Sequence, residues 1–469
     1  MKAALLWLSA LALVAPAAAQ PAPIRVEIEQ FTLPNGLRVI LHRDTITPTI
    51  ATNIWYHVGS AQEAPGRTGF AHLFEHIMFE GSRNVPEGAI DEWFGEVGGA
   101  PNGSTAPDRT NYMQSFSASA LELALFIESD RMGHLLPAMS PASVDGQRDV
   151  VKNERRQSYD NVPYGLADQV LTEAMYPAAH PYSWPVIGYM DHLTNASYQD
   201  VVDFFRRYYA PNNASLVIAG DIDVERTRAL VGKWFADVPR GAAVTSPEVS
   251  PPRLEGAPRL RLEDRVQLPR IDMRWITAAA YQPDDAALIT LGRILGAGKN
   301  SRLYRRLVYE LQIADDVAVR QDSRQLNGEF EISATARAGR DLDELDRVIM
   351  EEVARLQREP PDARELARAV NQYEVGFLEQ LERVDAKADA LNEYLFYTGR
   401  PDYFNEDLAR FRALTPSDIS NAARRWLDAQ ARVTLSIVPE GRPELAVEGS
   451  RPVPNHDLEL SPPQRKPTS

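Results

Sequence analysis

A stretch of linker composition in the middle of the chain, Pro239-Arg-Gly-Ala-Ala-Val-Thr-Ser-Pro-Glu-Val-Ser-Pro-Pro252, most limits what the sequence can fold into, because strand and helix signals run in a similar order on either side of it. Before it, Arg38–His42 and Thr49–Tyr56 read as strands, Ala118–Leu136 as a long helix with an apolar face, Ser197–Tyr208 as a helix and Asn213–Gly220 as a buried strand. After it come a strand near Arg270–Ala278, helices over Asp284–Leu295 and near Leu303–Leu311, a strand near Glu329–Thr335, long helices over Asp341–Leu356 and Asp362–Leu381, and a last strand Arg432–Val438. The pattern predicts an α+β fold of two homologous units, each an antiparallel-rich sheet packed with helices. They span 25–239 and 257–445, with a linker at 240–256, and 469 residues are enough for both cores. The tail 446–469, with Pro462, Pro463 and Pro467, reads as disordered.

The first unit carries a pattern with chemistry in it, His72-Leu-Phe-Glu75-His76. Residues at i, i+3 and i+4 share one helix face, so two imidazoles and a carboxylate stand together. Neutral imidazoles are good Zn²⁺ ligands, and a catalytic zinc takes three protein ligands and leaves a place for water. A carboxylate between the two histidines is placed to act as general base toward that water. The order reverses the commoner His-Glu-x-x-His helix. On composition alone a His pair on an amphipathic helix also suits a surface or a hydrogen-bonded core. Pro65-Gly-Arg-Thr68-Gly-Phe70 predicts a loop feeding the helix, with Thr68 as N-cap, about three turns, an apolar stripe at Phe70, Leu73, Ile77 and Met78, and an end at Gly81-Ser82. A third ligand must come from elsewhere. In the helical segment Gln147–Arg156, Val150 and Val151 read as inward-facing, and Glu154 lies one turn after Val150; on local pattern it is a solvated flank as readily as a ligand.

Residues 1–19 have the form of a signal peptide, with Lys2, an apolar run Ala3–Val14 and Ala17-Ala18-Ala19 before Gln20, which predicts export to the periplasm. No later run is apolar enough to span a bilayer. The absence of cysteine excludes disulfides and a lipidated cysteine, and a formal charge of −15 opposes nucleic acid as a partner. His42, His57, His134, His180, His192 and His456 lack ligand spacing and read as surface or core residues.

The motif, the downstream Val150-Val151-x-x-Glu154, the opening Phe31-Thr-Leu-Pro-Asn-Gly36-Leu-Arg-Val39, and Gly59-Ser60 ahead of Gly69-Phe-Ala-His72 together resemble the pitrilysin family of zinc metallopeptidases, the inverzincins. The resemblance implies one zinc held by His72, His76 and Glu154, with Glu75 as general base. Pro101–Phe116 reads as a turn followed by alternating Thr110, Tyr112, Gln114 and Phe116, which suits an edge strand; the resemblance implies that this strand pairs with an extended peptide substrate, with Asn102 and the backbone around Gly103, Ser104 and Thr105 in contact with it. Gln147 departs from the family, which often has an acid there; an amide still orients a ligand from the second layer but brings no charge. His180-Pro-Tyr182 and Pro185–Gly188 resemble a family segment after the third ligand. Two units correspond to half of the family's four-unit clamshell, which implies a second chain. An Arg and a Tyr that the family uses from the opposite half fall on Val308 and Asp315, with Arg302 and Tyr304 nearby as substitutes. The implied assembly is a heterodimer with a paralogue that brings the Arg and Tyr, the alternative being a homodimer. The competing function is a non-catalytic scaffold of the same fold.

Overall fold

Ala214-Ser-Leu-Val-Ile-Ala-Gly220 is buried at every position, and Thr49–Tyr56 at all but the first, as strands read when both faces of a sheet are covered. The computed structural model describes residues 23–247, 249–254 and 256–453. Strands β1 (Ile28–Thr32), β2 (Arg38–Arg43), β3 (Thr49–Tyr56), β4 (Asn102–Thr105), β5 (Thr110–Ser117) and β6 (Ala214–Gly220) form one sheet in the order β1-β2-β6-β3-β5-β4. A second sheet, from β7 (Arg259–Asp264), β8 (Arg270–Thr277), β9 (Ala314–Ser323), β10 (Gly328–Ala336), β11 (Val433–Pro439) and β12 (Arg451–Pro452), runs β12-β7-β11-β8-β10-β9. The orders match strand for strand over five positions, and so do the directions. β2 with β6 and β7 with β11 are the parallel pairs, and the remaining matched pairs are antiparallel. The chain is one α+β unit used twice.

The first half carries helices α1 (Phe70–Ile77), α2 (Ala89–Glu96), α3 (Leu121–Ala138), α4 (Pro141–Arg155), α5 (Ala167–Met175), α6 (Met190–Asn195), α7 (Tyr198–Tyr208) and α8 (Val224–Phe235). The second carries α9 (Asp285–Gly296), α10 (Leu342–Arg358), α11 (Ala363–Gln380), α12 (Val384–Thr398), α13 (Phe404–Arg412) and α14 (Pro416–Trp426). One face of each sheet is covered by its own helices. The other faces are covered by exchange. Ala388, Leu391 and Leu395 of α12 pack on Ile40, Ala51 and Val217 of the first sheet, while Val170, Leu171 and Met175 of α5 pack with Leu262, Val433 and Leu435 of the second. Polar contacts pin the crossing: Asn53 and Trp55 donate to Asp389 at 2.9 and 3.0 Å, and Asn392 donates to the Asn53 carbonyl at 2.9 Å. The two halves therefore share their cores, which no local pattern in the sequence announces.

Several expectations need correcting. The exposed edge strand near 101–116 is β4, whereas Thr110–Ser117 lies between β3 and β4 with Tyr112 and Phe116 buried. Val151 is buried but Val150 is 44% exposed, since consecutive helical residues point about 100° apart. Tyr304–Glu310 is wound as a π-turn. The expected disordered tail is ordered in its first part: Val447 is buried and Arg451–Pro452 pairs with β7. The signal-peptide segment, His456 and the rest of the tail lie outside the described residues. Among the described residues no helix is long and apolar enough to cross a membrane.

Candidate metal centre

Helix α1 lies on the first sheet with Leu73, Phe74 and Ile77 in the core, so its opposite face is the one left for chemistry. Tyr112 of β5 donates to the Phe74 carbonyl at 2.8 Å and fixes the helix to the sheet. The helix has 8 residues, roughly two turns rather than three. Thr68 is not its cap: its hydroxyl accepts from the Tyr189 N–H at 3.2 Å and bonds His192 Nδ1 at 2.9 Å, and Gly69 takes the N-cap position.

His72 and His76 turn their rings toward the last turn of α4. His72 Nε2 lies 3.7 Å from Glu154 Oε1 and His76 Nε2 lies 3.2 Å from Glu154 Oε2, with the rings nearly perpendicular at 79°. Ligands at 2.0–2.1 Å on a tetrahedral zinc stand about 3.3 Å apart, so these spacings fit one cation. Among the described residues this is the one group of His and carboxylate side chains whose ligand atoms come within 4.8 Å of one another. Burial holds the His72 imidazole below its ordinary value, which keeps the lone pair available, and the hydrogen bond from His76 holds the Glu154 carboxyl below the usual range. The three expected ligands are brought together from α1 and α4.

Glu75 sits beside this group. Thr105 donates to its Oε2 at 2.6 Å, and its charge acts on the His72 imidazole. Gly103 packs closely here: a Cβ would lie 3.0 Å from Glu75 Cγ and 3.2 Å from the Phe79 ring, so a larger residue would press on Glu75. Of the positions expected to hold substrate, Asn102 accepts through its side chain from its neighbour's N–H at 2.9 Å, and the Ser104 hydroxyl donates to Asn111 at 2.6 Å and accepts from Arg109 at 2.6 Å. Those side chains are engaged within the protein. What β4 offers is its backbone, as the outermost strand of its sheet. Gln147 hydrogen-bonds Glu80, whose carboxyl is pushed up by burial and by nearby Glu87 and acts electrostatically on His76.

The 180–188 segment reaches the two helices at Gly188, whose carbonyl accepts from Arg155 of α4 and which lies against Gly69 at the start of α1. Tyr182 donates to Asp108 at 2.6 Å, and His180 is buried and pushed down to about 4 by desolvation. An imidazole held neutral binds fewer protons folded than unfolded, so its contribution to stability is present above the ordinary histidine range and lost as pH falls toward 4. Denaturant unfolding measured from pH 7 to pH 4 is expected to show stability falling with pH, and His180→Gln is expected to flatten that slope. An unaltered slope in the variant would assign it to other groups.

A His-His-Glu donor set beside a separate carboxylate on a duplicated α+β scaffold matches the three protein ligands of a mononuclear catalytic zinc site. The family model described as "Insulinase (Peptidase family M16)" matches residues 38–183, and that described as "Peptidase M16 inactive domain" matches 195–373. The chain belongs to peptidase family M16. Zinc protease PqqE of Helicobacter pylori is 28% identical over 418 residues, covering 88% of this chain and 93% of that one. A probable mitochondrial-processing peptidase subunit beta of Arabidopsis thaliana is 25% identical over 86% of this chain and 76% of its own length. The crystal structure of a protease from Helicobacter pylori superposes with a TM-score of 0.83 at 26% identity, covering 88% of this chain and all of that one.

Proposed function

We propose that the chain is a zinc-dependent endopeptidase that hydrolyses short or unfolded peptides. One observation carries the reading: His72, His76 and Glu154 converge while Glu75, which belongs to no ligand group, is held beside them by Thr105. A scaffold has no use for that carboxylate. Bound zinc supplies a water of lowered pKa and polarises the scissile carbonyl. The free oxygen of Glu75 takes the proton from the water and returns it to the departing amine. The exposed edge of β4 pairs with the backbone of an extended peptide, which gives affinity with little demand on sequence. The names of the relatives support zinc and proteolysis. Zinc analysis of the purified protein tests the reading. About one zinc per chain, removed by a chelator together with peptide cleavage and restored with it, is expected; a metal-free chain without cleavage would leave the scaffold.

The partner follows from the second half. Val308 is buried, Asp315 is paired with Arg337 at 3.2 Å, and Arg302 is held by both oxygens of Glu365 at 2.9 and 2.7 Å. Tyr304 packs on Tyr309. None of the four positions offers a free guanidinium with a phenol, which supports a heterodimer with a paralogue that brings both donors for the substrate carbonyl. The isolated chain is expected to cleave peptides poorly, and co-expression with such a paralogue is expected to give a complex in solution and a large gain in rate. Full activity of the chain alone, with no gain on adding the paralogue, would favour the homodimer. The N-terminal segment supports a periplasmic site of action. Fractionation with N-terminal sequencing tests it, and a cytosolic chain that retains the segment would overturn it.

A further inference from the structure

The metal-bearing helix has an unusual N-terminus. Gly69 at the N-cap has no side chain, and no acid lies in the first turn, so the orphan N–H groups of α1 have no local acceptor. Glu63 supplies one from outside. Its Oε2 accepts from the Gly69 N–H and its Oε1 from the Ala71 N–H, both at 2.9 Å, immediately before His72. The carboxyl is buried, which pushes it up to about 8 against the pull of these N–H groups, and its loop is held by Gln62, which accepts from the Gly59 N–H at 2.7 Å, and by Trp184, which donates to the Ser60 carbonyl at 2.9 Å.

The other ligand helix is tied to the same point. Arg155, next to Glu154 and buried, donates to the Gly188 carbonyl at 2.8 Å and to Gln169 at 2.6 Å. Gly188 in turn lies against Gly69. A Cβ on Gly188 would stand 2.5 Å from the Gly69 N and Cα, and one on Gly69 would stand 2.8 Å from the Ile187 carbonyl; both residues have left-handed φ, 74° and 89°. Backbone meets backbone where no side chain fits.

We propose that Glu63 and Arg155 are the positioning residues of the metal centre, clamping α1, which carries His72 and His76, to α4, which carries Glu154, through the Gly69–Gly188 contact. The inference rests on the metal reading above and deepens it. Ligand distances must hold within about 0.2 Å for a metal site to work, and α1 and α4, which come from separate parts of the chain, meet that tolerance only if their packing is fixed at this end. A cap that served only folding would stabilise α1 without touching the position of α4.

The experiment compares Glu63→Gln and Arg155→Lys with wild type. Glutamine presents an NH₂ where one backbone N–H needs an acceptor, and lysine lacks the fork that reaches both Gly188 and Gln169. Each variant is expected to bind zinc roughly 10–100-fold more weakly in chelator competition and to change the absorption spectrum of the cobalt-substituted protein. Ile419→Val, in the core of the second half, is the control for lost stability and is expected to keep wild-type zinc affinity. Wild-type affinity and spectrum in both site variants, whatever their melting temperatures, would overturn the proposal. Amide exchange in the metal-free proteins separates it from the metal reading. Gly69 and Ala71 are expected to exchange at least about tenfold faster in Glu63→Gln. Unchanged exchange overturns the clamp, whereas a wild-type chain that binds no zinc overturns the proposed function and leaves the clamp to the exchange result.

Discussion

Glu75→Gln is expected to keep the fold and the zinc and to lose about 10²–10⁴-fold in kcat, the range that a positioned general base contributes. The amide has the same shape, so the close contact with Gly103 is preserved, and its oxygen can still accept from the Thr105 hydroxyl. What it cannot do is take a proton. Zinc content and KM should therefore stay near wild type while kcat falls, the signature of an interaction used only in the transition state. Thr105→Val serves as the comparison. It removes the 2.6 Å hydrogen bond that orients the carboxylate but leaves the base, so its loss should be far smaller. A Glu75→Gln enzyme that turns over near the wild-type rate would remove Glu75 from the mechanism.

The parts of this molecule that were legible in the sequence are those written in short-range pattern. Buried strands such as Thr49–Tyr56 and Ala214–Gly220 announce themselves as apolar runs, and the His72-x-x-Glu75-His76 spacing alone places three groups on one face of α1. The repeat of the unit was visible in the order of signals, though the matched strand orders of the two sheets were not. Illegible parts depend on contacts between distant segments. Nothing near α12 says that it covers the first sheet, or near α5 that it covers the second. Glu63 carries no signal in the sequence, because its partners are N–H groups six and eight residues on, outside any capping pattern. Thr68 was read as a cap from its residue type, yet its hydroxyl is taken by Tyr189 and His192. For the same reason local pattern left Glu154 between flank and ligand: only the packing of α4 against α1 brings its carboxylate to two imidazoles.

Glu154→Ala should lose zinc at chelator concentrations that wild type survives, and activity with it. Removing one of three ligands leaves two imidazoles from a single helix turn, and the bidentate reach of the carboxylate toward both Nε2 atoms has no replacement among neighbouring groups. The loss should exceed the roughly 10–100-fold that an outer-layer partner costs. Gln147→Ala is the measure of that lesser effect, because Gln147 touches Glu80 rather than a ligand. Glu80→Gln is the informative third variant. If Glu80 supplies the charge that position 147 lacks, its amide should weaken zinc more than Gln147→Ala does, through His76, and less than Glu154→Ala. Zinc retention ranked wild type, Gln147→Ala, Glu80→Gln, Glu154→Ala from tightest to weakest is the expected order. Equal retention by Glu154→Ala and wild type would mean that another carboxylate completes the site, and the convergence seen at α1 and α4 would then be an ordinary ion pair.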